Sequence, residues 1–203
     1  RGLGDVYKRQ ITDSLLIYIF NTMKIYRNSP TCDLKEKERY FLYMKAKTPS
    51  QSSINDYAYR IFPNDLNSHG TAFGGMIMAI LDRIASIVAE RHSGRDCVTV
   101  CVDSFTFLAP ARHGEILIFK AAITRSWNTS MEIGVKVLSE SLNKPEKTHI
   151  VSAHFVFVAL DNKGKPTAVP PVHPETKEEK RRFQNAEVRR TSRIQVKRKT
   201  HSS

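Results

Sequence analysis

Cysteine is scarce in this chain of 203 residues, and the three present form no pattern that binds metal or builds a scaffold. Cys32, Cys97 and Cys101 are an odd set with no CxxC pair and no His/Cys zinc spacing, which excludes a zinc ribbon and a disulfide framework. A reduced, cytoplasmic setting fits that usage. Cys97 and Cys101 lie four apart in a strand-like run, so they are expected on one face as small apolar fillers. Long apolar runs are missing too. The stretch Leu15 to Phe20 falls far short of the roughly twenty residues a spanning helix needs, and no small-residue cleavage site follows it promptly. No internal repeat is visible, which excludes a tandem duplication. Acidic residues are outnumbered, 20 against 32 Lys/Arg, and residues 173–203 alone hold 10 Lys/Arg against 4 Asp/Glu. Such an ending suits a solvated helix and a frayed terminus, and neither a nucleic-acid nor a membrane partner is expected from it.

The first ten residues, RGLGDVYKRQ, can be encoded by a stretch that resembles, codon for codon, a transposase adapter used in sequencing libraries. Residues 1–10 are therefore expected to be a sequencing scar, residues 11–43 upstream read-through, and Met44 the true start. A domain over 44–172, a basic helix over 173–192 and a disordered basic tail over 193–203 complete the expected organisation.

Within that domain, residues 55–62 alternate as a strand does, and a polar loop from Pro63 to Thr71 follows. A helical pattern runs from Gly74-Gly75 to about His92 and stops at Gly94. Four β-rich runs come next, near 96–107, 115–126, 130–140 and 148–159, separated by turn signals that include Asn128 and Asn143 with Pro145. One strand, one long apolar helix and four consecutive strands define an α+β unit with an antiparallel sheet wrapped around a single central helix. Thr176 with Glu179 forms a capping-box signature for the basic helix, while the final RIQVKRKTHSS shows no apolar period.

On the central helix, Ile77, Ile80, Leu81, Ile84 and Val88 fall on one face, which should meet the sheet. Asp82 lies about 140° away among Met78, Ala79, Ala85, Ser86 and Ala89, a flank nearly free of charge. A carboxylate there is costly to desolvate unless paired or used, so a partner chain or a ligand is expected to cover it. Pairing with Arg83 or a backbone amide is the bland alternative. At the helix start, Gly74-Gly75 after Phe73 would let a ligand approach N–H groups that carry partial positive charge, a fit for an oxyanion or a polarised carbonyl. Eight residues separate Gly74 from Asp82, about 12 Å of helix. That is too far for both to act on one carbonyl, so one chain should supply the amides and a second chain Asp82.

The segments NDLNSHGTAFGGMIMAILDRIA (64–85), SFTFLAPARHGE (104–115), TSMEIGVKV (129–137), FVFVALDNKGKP (155–166) and VPPVHPETKEEKRRF (169–183) resemble the hotdog acyl-CoA thioesterases of the YciA and brain acyl-CoA hydrolase type. The resemblance covers roughly 55–193. It implies a single hotdog domain, a dimer frequently assembled into a trimer of dimers, and hydrolysis of fatty acyl-CoA with no metal or redox cofactor. By position, Asp82 matches the family's catalytic carboxylate and Gly74-Gly75 its helix-start amides. Thr71 falls where relatives often carry a catalytic Asn or Asp, and Asn67 or Asn64 is available as a substitute. Phe73, His69 and Ser130 lie inside the matching segments as implied substrate contacts, and Arg125, Lys136, Arg181 and Arg182 are candidate cations for the CoA phosphates. A dehydratase would pair His69 with the helix acid but lacks its loop pattern here. A non-catalytic acyl-CoA sensor would bind without turnover and would not need Asp82.

Overall fold

The computed structural model describes residues 45–141 and 144–200. Residues 1–44, with the expected scar, the read-through segment, Cys32 and Met44, lie outside the described residues, as does Asn143. Strand β1 spans Ile54–Arg60, and after a short 3-10 turn at Pro63–Asp65 helix α1 runs over Gly74–Ser93. Strands β2 (Asp96–Phe107), β3 (Ile116–Ser126), β4 (Ser130–Ser141) and β5 (Lys144–Leu160) follow, and helix α2 closes the described chain over Lys177–Thr200. The strands form one antiparallel sheet in the order β1-β3-β4-β5-β2, so β1 and β2 are its edges.

Helix α1 forms because its apolar residues recur every three to four positions, and it stops because Gly94 takes a left-handed conformation (φ 67°) that closes the last turn onto the Glu90 carbonyl. Its buried face carries Ile77, Leu81, Ile84 and Val88 as expected, while Ile80 is half-buried. Against it stand Leu117, Phe119, Met131, Ile133, Phe155 and Phe157 from the three central strands, each essentially removed from water. Burial of side chains of this size contributes about 1.5–3 kcal/mol apiece. The flank around Asp82 is partly covered by the chain itself, since Ala85 and Ala89 are fully buried. Met78 and Ala79 stay exposed beside it.

The other face of the sheet is covered by α2. Its start is the expected capping box: Thr176 Oγ1 accepts the Glu179 N–H at 3.1 Å and Glu179 Oε2 accepts the Thr176 N–H at 2.9 Å. The helix runs on to Thr200, past residue 193 where a separate tail is expected. As far as Arg193 it is docked by charge rather than by apolar period. Arg193 bridges Asp103 and Glu132 at 2.8 and 3.1 Å, and Arg189 bonds the fully buried Glu132 at 2.7 Å. A periodicity argument that counts only apolar residues does not register a helix docked through guanidinium groups.

One correction concerns the cysteines. Cys97 pairs with Ala159 and Thr99 with Phe157, both on the α1 side, but the register slips at Val100 so that Cys101 pairs with Val156 and Asp103 with His154. One extra residue in a strand switches the face that follows. Cys97 packs on the core, where burial pushes its thiol up to about 11, and Cys101 belongs to the opposite face.

Candidate active site

Asp82 is half-buried, two turns into α1, where the helix passes under edge strand β2. Thr99 on that strand donates its hydroxyl to Asp82 Oδ1 at 2.7 Å. The bond fixes the carboxylate rotamer through one oxygen and leaves Oδ2 available for a ligand or a water. No ion pair between Asp82 and Arg83 is formed among the described residues; the hydroxyl of Thr99 is the partner. Sequence reasoning missed Thr99. A threonine among valines reads as an ordinary strand former, and nothing in the strand pattern says which helix side chain lies beneath it.

The loop before α1 is organised by Asn67. Its side-chain oxygen accepts the N–H groups of His69 and Thr71 at 2.9 and 3.2 Å, and its amide nitrogen donates to Thr71 Oγ1 at 3.0 Å. Backbone bonds from Asn67 N–H to Thr71 C=O and from Gly70 N–H to Asn67 C=O close the same turn. The structure thus brings Asn67 and Thr71 together as one unit and leaves His69 exposed at its tip. Asp65 supports the loop from behind, accepting the Tyr59 hydroxyl and the Phe62 N–H and, through its carbonyl, the Phe73 N–H that leads into the helix.

Phe73 is the N-cap of α1 and offers no side-chain acceptor, so the first-turn amides of Gly74 and Gly75 are not capped by it. The two glycines have a more specific packing role than an open approach. A Cβ at Gly74 would meet the Phe107 ring at 2.9 Å, and one at Gly75 would meet the Phe73 ring at 2.5 Å. Both rings are about half-exposed, and Phe107 stacks on Phe105 with centroids 5.2 Å apart. The helix start is therefore overlaid by two aromatic rings that a ligand would have to displace or stack against.

The proposed cations do not gather with these elements within one chain. Arg125 lies under α2, bonded to the Phe183 carbonyl and Glu187 and 4.1 Å over the Phe183 ring. Arg181 and Arg182 both pair with Glu178 on the exposed side of α2. Lys136 is exposed on the α2 side of the sheet, across from Lys120. Ser130 opens β4, half-buried opposite Val158.

Residues 69–146 match the thioesterase superfamily. A Bacillus subtilis protein named uncharacterized acyl-CoA thioester hydrolase YkhA is 44% identical over 120 residues, 59% of this chain and 70% of that one. The chain therefore belongs to the hotdog acyl-CoA thioester hydrolase family. Among solved structures, the Bacillus cereus acyl-CoA hydrolase is 39% identical with a TM-score of 0.73, covering 78% of this chain and 96% of that one. The Staphylococcus aureus acyl-CoA hydrolase, solved with butyryl coenzyme A, coenzyme A and coenzyme A disulfide, is 35% identical with a TM-score of 0.70, over 77% and 98% of the two chains. A hexameric acyl-CoA thioesterase solved in its apo form is 34% identical with a TM-score of 0.72, over 75% and 97%. Variants of the Staphylococcus enzyme replace by alanine an aspartate, an asparagine fifteen positions before it and a threonine seventeen positions after it. Asn67, Asp82 and Thr99 stand at the same two spacings in this chain.

Proposed function

We propose that this protein hydrolyses acyl-CoA thioesters at a site to which one protomer brings the Gly74-Gly75 amides and the Asn67–Thr71 loop, and its partner brings Asp82 held by Thr99. The observation that carries the reading is the Thr99–Asp82 hydrogen bond, because it orients a carboxylate on a helix flank where a structural role would call for a cation. The identical spacing of Asn, Asp and Thr in a relative bound to coenzyme A supports it. In the reaction, the amides stabilise the negative charge that develops on the thioester oxygen. Asp82 then either takes a proton from the attacking water or attacks the carbonyl itself. Water adds across the C–S bond, the acid leaves, and CoA departs as its thiol. Asn67 and Thr71, already joined, are the groups available to orient the carbonyl or the water.

Self-association is supported by strand β2. It is an edge strand, yet Val98, Val100 and Val102 are exposed by 43%, 55% and 41%, with Phe107 and Leu108 beyond them. An unprotected apolar edge of this kind is an association surface. A trimer of such dimers would match the hexameric relative. No helix among the described residues is long and apolar enough to cross a membrane, and cytoplasmic residence remains our expectation, testable by cell fractionation.

Mixed dimers test the shared site. Asp82→Asn removes the base or nucleophile, and Gly75→Val displaces the Phe73 ring and blocks the amides. Each homodimer should be nearly inactive in a thiol-release assay, whereas verified mixed dimers should recover up to about half of wild-type activity, since one of two symmetric sites is intact. Inactive mixed dimers of folded variants would show that Asp82 serves its own chain. Binding of acyl-CoA by the wild type without turnover would favour the sensor reading instead.

A further inference from the structure

Strand β2 carries Thr99 on the α1 side of the sheet and Asp103 on the α2 side. Thr99 lies just before the bulge at Val100, and the bulge turns Asp103 toward α2. A second irregularity between Asp103 and Thr106 brings Phe107 back over Gly74. At that second irregularity sits Ser104, with φ of 55°, the single described non-glycine residue at positive φ. Such a backbone persists only where its surroundings over-determine it. What surrounds it is the ionic cluster under α2. Arg193 Nη1 bonds Asp103 Oδ2 at 2.8 Å and Glu132 Oε2 at 3.1 Å, while Asp103 Oδ1 accepts the Ser104 hydroxyl at 3.1 Å. Asp103 forms no other ion pair among the described residues.

We propose that Arg193 is a positioning residue for the site. By tying Asp103 to the buried Glu132, it fixes the doubly bulged edge strand that presents Thr99 to Asp82 and Phe107 to Gly74. The proposal rests on the hydrolase reading of that site. Within one chain β2 is hydrogen-bonded on one side alone, to β5, and its other edge is the association surface proposed above, so Arg193 restrains the strand from the α2 face, independently of either edge. Glu132 is a suitable anchor because it is itself immobilised on the central strand β4, where Thr124 donates to Oε1 at 2.7 Å and Arg189 bonds both oxygens. Arg189 supplies the internal control. It docks α2 onto the same carboxylate but makes no described bond to β2.

The test compares Arg193→Met with Arg189→Met in the full chain, by thermal melting, by hydrogen exchange and by steady-state hydrolysis of an acyl-CoA. Both variants should lose thermal stability. Arg193→Met alone should show faster amide exchange across Asp96–Phe107 and a kcat lower by about tenfold or more at nearly unchanged KM, the mark of an interaction needed in the transition state. Asp103→Asn, nearly isosteric, should reproduce Arg193→Met, and it takes over the comparison if that variant does not fold. Equal exchange in the Arg193 and Arg189 variants overturns the clamp, whatever the substrate. Selective exchange with kcat unchanged overturns its role in positioning. A wild type that hydrolyses no acyl-CoA would overturn the hydrolase reading, while the exchange comparison would still decide whether Arg193 holds the strand.

Discussion

The two faces of the sheet are covered by helices that dock by different physics. Helix α1 is held by Ile77, Leu81, Ile84 and Val88, and its one carboxylate at the β2 edge is bonded to a hydroxyl. Helix α2 buries little apolar surface beyond Ala186 and the half-buried Phe183, and it is held by arginines: Arg125 from below, and Arg189 and Arg193 from its own underside onto Glu132 and Asp103. Apolar packing tolerates sliding within a rotamer or two, whereas buried charge pairs are geometrically strict and costly to leave half-made. The contrast explains how a helix of very low apolar content orders against the domain, and why a polar residue on α1 stands out as a functional candidate while several on α2 do not.

Substitutions on the two faces should separate these regimes. The largest effect is expected at Asp82. Asp82→Asn should lower kcat by about 10²–10⁴ with melting little changed, in line with loss of a general base or nucleophile. A large stability loss with activity retained would make Asp82 a packing residue and erase the contrast. Next comes Leu81→Ala, one residue earlier on the buried stripe, which should cost about 2–5 kcal/mol in denaturant unfolding. On the ionic face, Glu132→Gln should destabilise by about 2–3 kcal/mol, less than the ~3–5 of a fully buried pair because both guanidiniums keep some exposure. Burial pushes the Glu132 carboxyl up, but hydrogen bonds from Arg189 and Thr124 outweigh it and hold it below the usual range. Its contribution is therefore present above the ordinary carboxylate pKa and lost as pH falls through the lower folded value. If Glu132→Gln melts like the wild type at neutral pH, α2 is not held by charge.

A smaller effect, specific to the C-terminal end of α1, should appear in acid. Burial lowers the His92 pKa to about 4, against a raising contribution from the Pro170 carbonyl, which its Nε2 bonds at 2.9 Å. Between about pH 6.5 and 4 the unfolded chain then binds a proton that the folded one does not. Stability should fall with pH across that window, and His92→Gln should flatten this part of the profile. The smallest effect belongs to the exposed side of α2. Arg181→Ala breaks only a solvated pair with Glu178 and should leave melting unchanged, whereas a clear loss would show that surface pairs also hold the helix.

Much of the fold was legible because period-2 and period-3.6 patterns act locally. The expected strand runs near 96–107, 115–126, 130–140 and 148–159 agree with β2 to β5 within a few residues, apart from an earlier start of β5 at Lys144, and the α1 face was read from its isoleucines and leucines. Helical period set Asp82 on an uncharged flank and the resemblance matched it to the family's carboxylate. Around Thr71 the resemblance left Asn67 or Asn64 as substitutes, and the structure joins Asn67 to Thr71 by a hydrogen bond. Thr99 stayed hidden because its bond to Asp82 joins two elements, and the period of neither one shows which side chains meet across them. The bulge at Val100 that separated Cys97 from Cys101 was hidden too, because bulges arise from the pairing of two strands rather than from either alone. The docking of α2 was not legible because the partners of Arg193, Glu132 and Asp103, are 61 and 90 residues away in the chain.

Composition and short-range pattern, by themselves, determined one α+β domain, its central helix and the acid on that helix's uncharged flank. Tertiary structure alone decided which hydroxyl meets that acid, which rings lie over the two glycines, and how far the basic helix extends. Local patterns reflect the energetics of one element against water, and those are fixed by neighbours in sequence. Bulge positions, ring stacking and buried ion pairs are energies between elements, and they exist only once the sheet has brought distant residues within a few ångströms.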